Sequence, residues 1–151
     1  MDRSEVRRLI ADTLDEIGLF SGNVTEILMG TCAQESHLGV YRKQLRGGPA
    51  LGIFQMEPAT FMDIYQNYLR FKPELLKKVM KTANVTVLKP SDLVENDVLA
   101  VAMARIHYLR VKEAIPVDLK GWAWYWKQYY NTPAGKGTEV EFIKNYKRFV
   151  L

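Results

Sequence analysis

A segment near the middle of the chain is apolar around most of a helical circumference, and this constrains the fold more than any other feature. The apolar residues at helical spacing are Val98, Leu99, Ala102, Met103, Ile106 and Leu109, widened by Val101, Ala104 and Tyr108. They predict a helix that begins at Ser91 or Asn96 and ends at Ala114. Since such a helix has little surface to offer water, we expect it at the centre of the fold.

Amphipathic periods and cap residues elsewhere predict a mainly α fold of about seven helices with little strand. Besides the central one, the predicted helices are Asp2 to Ile17, Ser21 to about His37, Pro58 to about Phe71, a segment opened by Pro73, an aromatic segment within Leu119 to Thr132, and a last helix opened by the capping box of Thr138 and Glu141. Leu51 to Met56 is predicted as a tight turn or a brief strand. The 151 residues, of which 48% are hydrophobic, predict one domain over residues 1–151.

Charge and cysteine content narrow the classes of function. The net charge of +4 is spread along the chain, which favours anionic partners such as cell-wall polymers or nucleic acid without selecting one. No basic cluster is interleaved with aromatic residues, so we do not expect nucleic-acid binding. Cys32 is the only cysteine and the two histidines are isolated, so we expect no disulfide, no metal site and no cofactor.

Glu35 continues the apolar stripe of the second helix. Val24, Ile27, Leu28, Thr31 and Glu35 fall on one helical face, which predicts that the carboxyl meets the core. Loss of solvation there would raise its pKa toward that of a usable general acid. The alternative is a glutamate at a frayed helix end that pairs with a lysine or points into water.

Two short motifs accompany Glu35 in the sequence, one at the end of its helix and one in the segment that follows. The chain reads ESHLG at the end of the helix and ALGIFQMEPAT from Ala50 to Thr60. This combination resembles the lytic transglycosylase family of the lysozyme-like superfamily, with Pro49 where the first glycine of the turn is usual. Two further matches are the Tyr108-Leu109 pair, where Arg105 replaces a glycine, and the Tyr130-Asn131 pair, where Thr132-Pro133 replaces alanine-glycine.

The resemblance implies a lysozyme-like helical domain with at most a short β element near the active site. It implies cleavage of the β-1,4 bond between N-acetylmuramic acid and N-acetylglucosamine in peptidoglycan glycan strands, by a monomer without a cofactor. Glu35 would act first as an acid and then as a base, giving 1,6-anhydro products. The residues implied to bind substrate are Ser36, Gly52, Gln55, Tyr130 and Asn131. Gln55 would hold the acetamido or peptide portion, Tyr130 would bond the catalytic carboxyl, and Asn131 would fix the sugar or a loop. Ser36 would orient the substrate or the glutamate, or could instead form an ordinary helix-end hydrogen bond.

Two rival functions stay open. No aspartate or glutamate lies between Ser36 and Met56, so a hydrolytic muramidase would need Glu57, Asp63 or an ordered water beside Glu35. Glu57 has an alternative role as an acid at a helix N-terminus. A rival of another class is a non-catalytic lysozyme-like module that binds glycan or serves as a structural part of a virion.

The site of action follows from the same resemblance. The first residues are charged throughout and no stretch is long enough to span a bilayer, so we expect neither a signal peptide nor stable membrane insertion. A protein that acts in the periplasm or cell wall would then be released by lysis or a holin, or carried by a phage virion. Arg42, Lys43 and Arg46, in a loop that borders the glycan cleft in the family, are further candidates for substrate contact, although loop charges are usually solvated.

Overall fold

The computed structural model describes residues 1–44 and 47–151 and is mainly helical, as predicted. The α-helices in these residues are α1 (Arg3–Glu16), α2 (Gly22–Ser36), α3 (Pro58–Asn67), α4 (Pro73–Ala83), α5 (Asp97–Leu109), α6 (Leu119–Trp126) and α7 (Glu139–Phe149). Short 3-10 helices cover Leu69–Phe71 and Pro90–Val94, and a π-helical turn, Lys127–Asn131, continues α6. No strand is assigned in the described part of the chain.

The central apolar helix is confirmed, but it is shorter than predicted. Residues 99–104 of α5 are all buried, and the Asn96 side chain caps the helix by accepting a hydrogen bond from the Leu99 amide. The helix ends at Leu109 rather than at Ala114. From residue 110 to residue 118 the chain runs as an irregular connection to α6, and Pro116 disfavours helical backbone at Ile115 within it.

α2 is held between α5 and α7, and this fixes the position of its last turn. The Tyr108 hydroxyl of α5 and the Thr31 hydroxyl of α2 are hydrogen-bonded at 2.8 Å, and both residues are buried. On another side, Gly30 allows close packing with α7, because a Cβ atom at residue 30 would lie 2.4 Å from Cζ of Phe142. These contacts leave the end of α2 little freedom to shift.

Two boundaries near the predicted site differ from the sequence prediction. α3 ends at Asn67, not at Phe71, because Tyr68 leaves helical geometry and a 3-10 turn leads to Pro73. The segment Leu51 to Met56 is a turn that carries two isolated antiparallel bridges, Lys43 with Leu51 and Leu51 with Met56. The small β element therefore exists only as these bridges.

Cys32 belongs to the hydrophobic core. It is buried with a free thiol, and burial raises the pKa of that thiol to about 12. Among the described residues, no helix is both long and apolar enough to cross a bilayer.

Candidate functional site

Glu35 lies in the last turn of α2 and is partly buried. The indole Nε1 of Trp126, a fully buried residue at the end of α6, donates a hydrogen bond to its carboxylate at 3.0 Å. Burial raises the pKa of Glu35 to about 7, although the Trp126 hydrogen bond acts in the opposite direction. A carboxyl with this pKa is present in both its acid and its carboxylate form near neutral pH, so the acid form is available to donate a proton.

The carboxyl of Glu35 opens on a cavity of about 530 Å³. Three segments surround it: the end of α2, the turn and hairpin before α3, and the π turn with the loop that follows. The lining residues are Glu35, Gln44, Ala50, Gln55, Glu57, Tyr130, Asn131, Gly135, Lys136 and Gly137. The cavity is large enough to hold a sugar unit and is predominantly polar in its lining.

A larger cavity of about 890 Å³ lies on the other side of the hairpin, against the N-terminus of α5. Its acids are paired or solvated: Asp97 bonds the Arg42 guanidinium, Asp92 lies 3.8 Å from the Lys89 amine, and Glu95 is exposed. None of them is withheld from water as Glu35 is, so the Glu35 cavity is the stronger candidate for chemistry.

Gly52 shapes the turn that brings Gln55 to the cavity. Its φ of +80° favours glycine, and a Cβ atom there would lie 2.3 Å from the backbone oxygen of Leu93. Gly52 is buried and does not line the cavity, so the structure replaces the predicted substrate contact with a backbone role.

Gln55 is held with a defined amide orientation. Its Nε2 donates to the backbone oxygens of Gly52 at 2.9 Å and Tyr41 at 3.2 Å. Carbonyl oxygens only accept, so the nitrogen must face them and Oε1 is the atom left over. Within residues 1–44 and 47–151 that oxygen has no hydrogen-bond partner, and Gln55 lines the cavity; its contact with substrate stays a prediction.

Ser36 lies next to Glu35 in sequence but does not reach the cavity. It is fully buried, and its hydroxyl donates to the Ile53 backbone oxygen at 2.6 Å while accepting from the Gly39 amide at 2.8 Å. A side chain without exposed surface does not touch a sugar, so the predicted substrate contact is wrong for Ser36. Its hydroxyl instead ties the end of α2 to the turn that carries Gln55.

Tyr130 lines the cavity, but the hydrogen bond predicted for it is wrong. Its hydroxyl donates to the Phe54 backbone oxygen at 2.5 Å rather than to Glu35, whose partner is Trp126. The Tyr130 ring packs against His107 and Tyr108, with ring centroids 5.1 and 5.4 Å away. Tyr130 therefore joins the π turn to the Gln55 turn and forms a wall of the site.

Asn131 is the last residue of the π turn and lines the cavity, and its contact with substrate stays a prediction. Its Oδ1 accepts a hydrogen bond from Nζ of Lys127 at 2.8 Å. The next residue, Thr132, has φ of +76° and ψ of 151°, a conformation that β-branched residues rarely adopt. π turns and strained backbone are both enriched at functional sites.

Of the two acids considered as partners of Glu35, only Glu57 lines the cavity. Glu57 is also the N-cap residue of α3, where its charge suits the positive end of the helix although its side chain makes no cap hydrogen bond. Asp63 does not line the cavity; it accepts hydrogen bonds from Asn67 and, at 2.9 Å, from Arg110, and Arg110 lowers its pKa.

Neither Arg42 nor Lys43 lines the Glu35 cavity. Arg42 is turned toward α5, where it donates to Asp97 and to the Val94 backbone oxygen, and Lys43 lines the larger cavity. Arg46 lies outside the described residues. Substrate contact is therefore not the role of Arg42 in this structure.

Sequence reasoning did not single out several residues of the site. Trp126 is one of them: it lies four residues before Tyr130, so helical spacing alone would put the two on one face. Gln44 is another: its Oε1 accepts from the Ala50 amide at 2.9 Å, so it closes the hairpin. Lys136 and the two glycines beside it follow a partly matched motif and carried no signal of their own.

The described residues contain no candidate metal site, and comparison with known proteins identifies no relative. No group of three or more histidine, cysteine, aspartate or glutamate side chains that could hold a metal ion occurs in the described residues. Comparison with protein-family models, curated proteins and solved structures finds no match to the chain. The site must therefore be interpreted from its own residues.

The pKa of Glu35 predicts a pH-dependent loss of stability. Its pKa rises from an ordinary 4.5 to about 7 in the folded protein, so the folded state binds the proton more tightly than the unfolded state. Stability from this group is fully present below about pH 4.5 and is lost as pH rises to about 7. The free energy of unfolding of Glu35→Gln, relative to that of wild type, should therefore rise by about 3 kcal/mol from pH 4 to pH 8. Denaturant unfolding at both pH values tests this, and an unchanged difference would show that the carboxyl is solvated.

Proposed function

We propose that this protein is a peptidoglycan lytic transglycosylase that cleaves the β-1,4 bond between N-acetylmuramic acid and N-acetylglucosamine. The observation that carries the proposal is the buried carboxyl of Glu35, with its raised pKa, on a polar cavity of sugar size. One acid of this kind is what glycosidic cleavage requires for protonation of the leaving oxygen.

The two amides of the cavity support a substrate that carries a 2-acetamido group. Gln55 has Oε1 left as an acceptor, and Asn131 has Nδ2 left as a donor because its Oδ1 is bonded to Lys127. An acetamido group presents one N–H and one carbonyl oxygen, so it is complementary to such a pair. Amide groups placed in this way favour sugars that carry the acetamido group over sugars that lack it.

The proposed reaction uses Glu35 twice. The protonated carboxyl gives its proton to the glycosidic oxygen as the bond to C1 of the muramic acid breaks. The oxygen of the substrate's own acetamido group then stabilises the cationic C1. The carboxylate next takes the proton of the C6 hydroxyl, and O6 bonds to C1 to close the 1,6-anhydro ring. No water is consumed, and Glu35 ends protonated, ready for another turnover.

Trp126 suits both stages of this cycle. Its indole N–H stabilises the carboxylate that exists between the two proton transfers, while burial favours the acid form. The opposing effects keep the pKa of Glu35 near neutrality, where a group can both give and take a proton.

A hydrolytic muramidase is the second candidate, because Glu57 lines the same cavity. In that reaction Glu57 would activate a water or stabilise the cation. Glu57 is exposed and lies at the N-terminus of α3. We favour the transglycosylase because the acetamido group needs no second carboxylate.

The proposal includes a lysozyme-like arrangement of the helices around the cavity and action on glycan strands in the periplasm or cell wall, as an enzyme released by lysis or carried by a phage virion. The mainly helical fold and the position of Glu35 at the end of α2 support this part of the proposal.

Mass spectrometry of digested sacculi tests the proposed function. Wild-type protein should release 1,6-anhydro-muropeptides, which are 18 Da lighter than the hydrolysed muropeptides because no water is added. Products with a reducing end would instead establish the muramidase. Binding of sacculi without any released product would establish a glycan-binding module.

A further inference from the structure

Lys127 connects Asn131 to the loop that closes one side of the cavity. Its Nζ donates to Oδ1 of Asn131 and to the backbone oxygen of Gly135, each at 2.8 Å. Lys127 is partly buried and does not line the cavity. Its contacts therefore place it behind Asn131 rather than against a bound sugar.

The ammonium group fixes which end of the Asn131 amide faces away from it. An ammonium has donors and no acceptor, so it selects Oδ1 and excludes Nδ2 from the same position. The amide nitrogen is then oriented as the free donor of Asn131. Without Lys127 the amide could rotate and present its oxygen instead.

The same ammonium holds the strained loop in place. Two glycines let the loop pack on the π turn: a Cβ atom at Gly135 would lie 2.5 Å from Oδ1 of Asn131, and one at Gly137 would lie 2.5 Å from the Trp126 ring. The Gly135 amide also donates to the Thr132 backbone oxygen at 3.0 Å. These contacts counter the unfavourable backbone conformation of Thr132.

We propose that Lys127 is a positioning residue that sets Asn131 as a hydrogen-bond donor to the carbonyl oxygen of the substrate's acetamido group. The inference rests on the proposed function, since it assigns the polarity of one contact in that site. It makes Lys127 a determinant of specificity for 2-acetamido sugars without direct contact to them.

A double-mutant cycle in the non-cleaving Glu35→Gln protein tests this role. The probe is tetra-N-acetylchitotetraose, and calorimetry gives its dissociation constant. Lys127→Met and Asn131→Ala should each weaken binding about 10-fold, the value of one hydrogen bond. The double variant should bind no more weakly than Asn131→Ala alone, because Lys127 acts through Asn131.

Matched variants separate positioning from charge and from folding. Lys127→Arg keeps a cationic donor and should bind within about 3-fold of the parent, whereas Lys120→Met removes a charge at the exposed start of α6 and should bind as the parent does. Thermal midpoints establish that each variant is folded, and Lys127→Leu, which also lacks a donor, replaces Lys127→Met in the cycle if the latter unfolds.

The inference would be overturned if the loss of affinity in the double variant equalled the product of the two single losses. Unchanged binding of the probe by Lys127→Met would overturn it as well. A parent that does not bind the probe, when wild type releases anhydro-muropeptides, would overturn the inference and leave the proposed function standing. If wild type also fails to cleave sacculi, the proposed function fails together with it.

Discussion

Glu35→Gln should reduce cleavage of purified sacculi by about 1,000-fold while leaving the protein folded. Glutamine keeps the shape of the side chain and can still accept the Trp126 hydrogen bond, but it has no proton to deliver. Both the protonation of the leaving oxygen and the later removal of the C6 hydroxyl proton would be lost. Release of soluble muropeptides, measured over time, gives the rate.

Glu57→Gln is the matched control, because it neutralises the other carboxylate that lines the cavity. In the transglycosylase scheme this variant should keep its rate within about 3-fold, since the acetamido group stabilises the cation. A loss as large as that of Glu35→Gln would favour the two-carboxylate muramidase. Full activity of Glu35→Gln would show that the acid lies elsewhere.

Gly52→Ala should destabilise the fold by about 4 kcal/mol, a large part of the stability of an ordinary domain. A φ of +80° is unfavourable for alanine, and the new Cβ atom would lie 2.3 Å from the backbone oxygen of Leu93. Backbone cannot rotate away as a side chain can, so the turn or the 3-10 helix Pro90–Val94 must move. Denaturant unfolding measures the loss.

Gly47→Ala separates the two contributions. Gly47 also has a positive φ, of +75°, but among the described residues nothing lies within 4 Å of the Cβ position. This variant should lose only about 1 kcal/mol, from the backbone preference. Equal losses at the two glycines would mean that contact with Leu93 is unimportant.

Local signals predicted much of the fold. Ser21 caps α2, Asn96 caps α5 and Thr138 forms its capping box with Glu141, because side chain to backbone hydrogen bonds depend on residues three positions apart. The spacing of the apolar stripe likewise predicted that Glu35 would be withdrawn from water, which agrees with its raised pKa.

Contacts between distant segments were not predictable in the same way. Trp126 takes the hydrogen bond expected of Tyr130 because the chain departs from α-helical geometry after Trp126, and no local pattern in KQYYN announces a π turn. Ser36 was read as a site residue from its neighbour, yet its hydroxyl bonds Ile53, seventeen positions away. The role of Lys127 depends on a loop whose path the sequence does not specify.

The number of residues in the π turn also determines the direction in which the Asn131 side chain points. A π turn contains one residue more than the α-helical turn it replaces, and one residue corresponds to about 100° of rotation. Deletion of one residue between Lys127 and Asn131 would let the α-helix continue and swing the Asn131 side chain away from the cavity, although no residue of the site had been replaced.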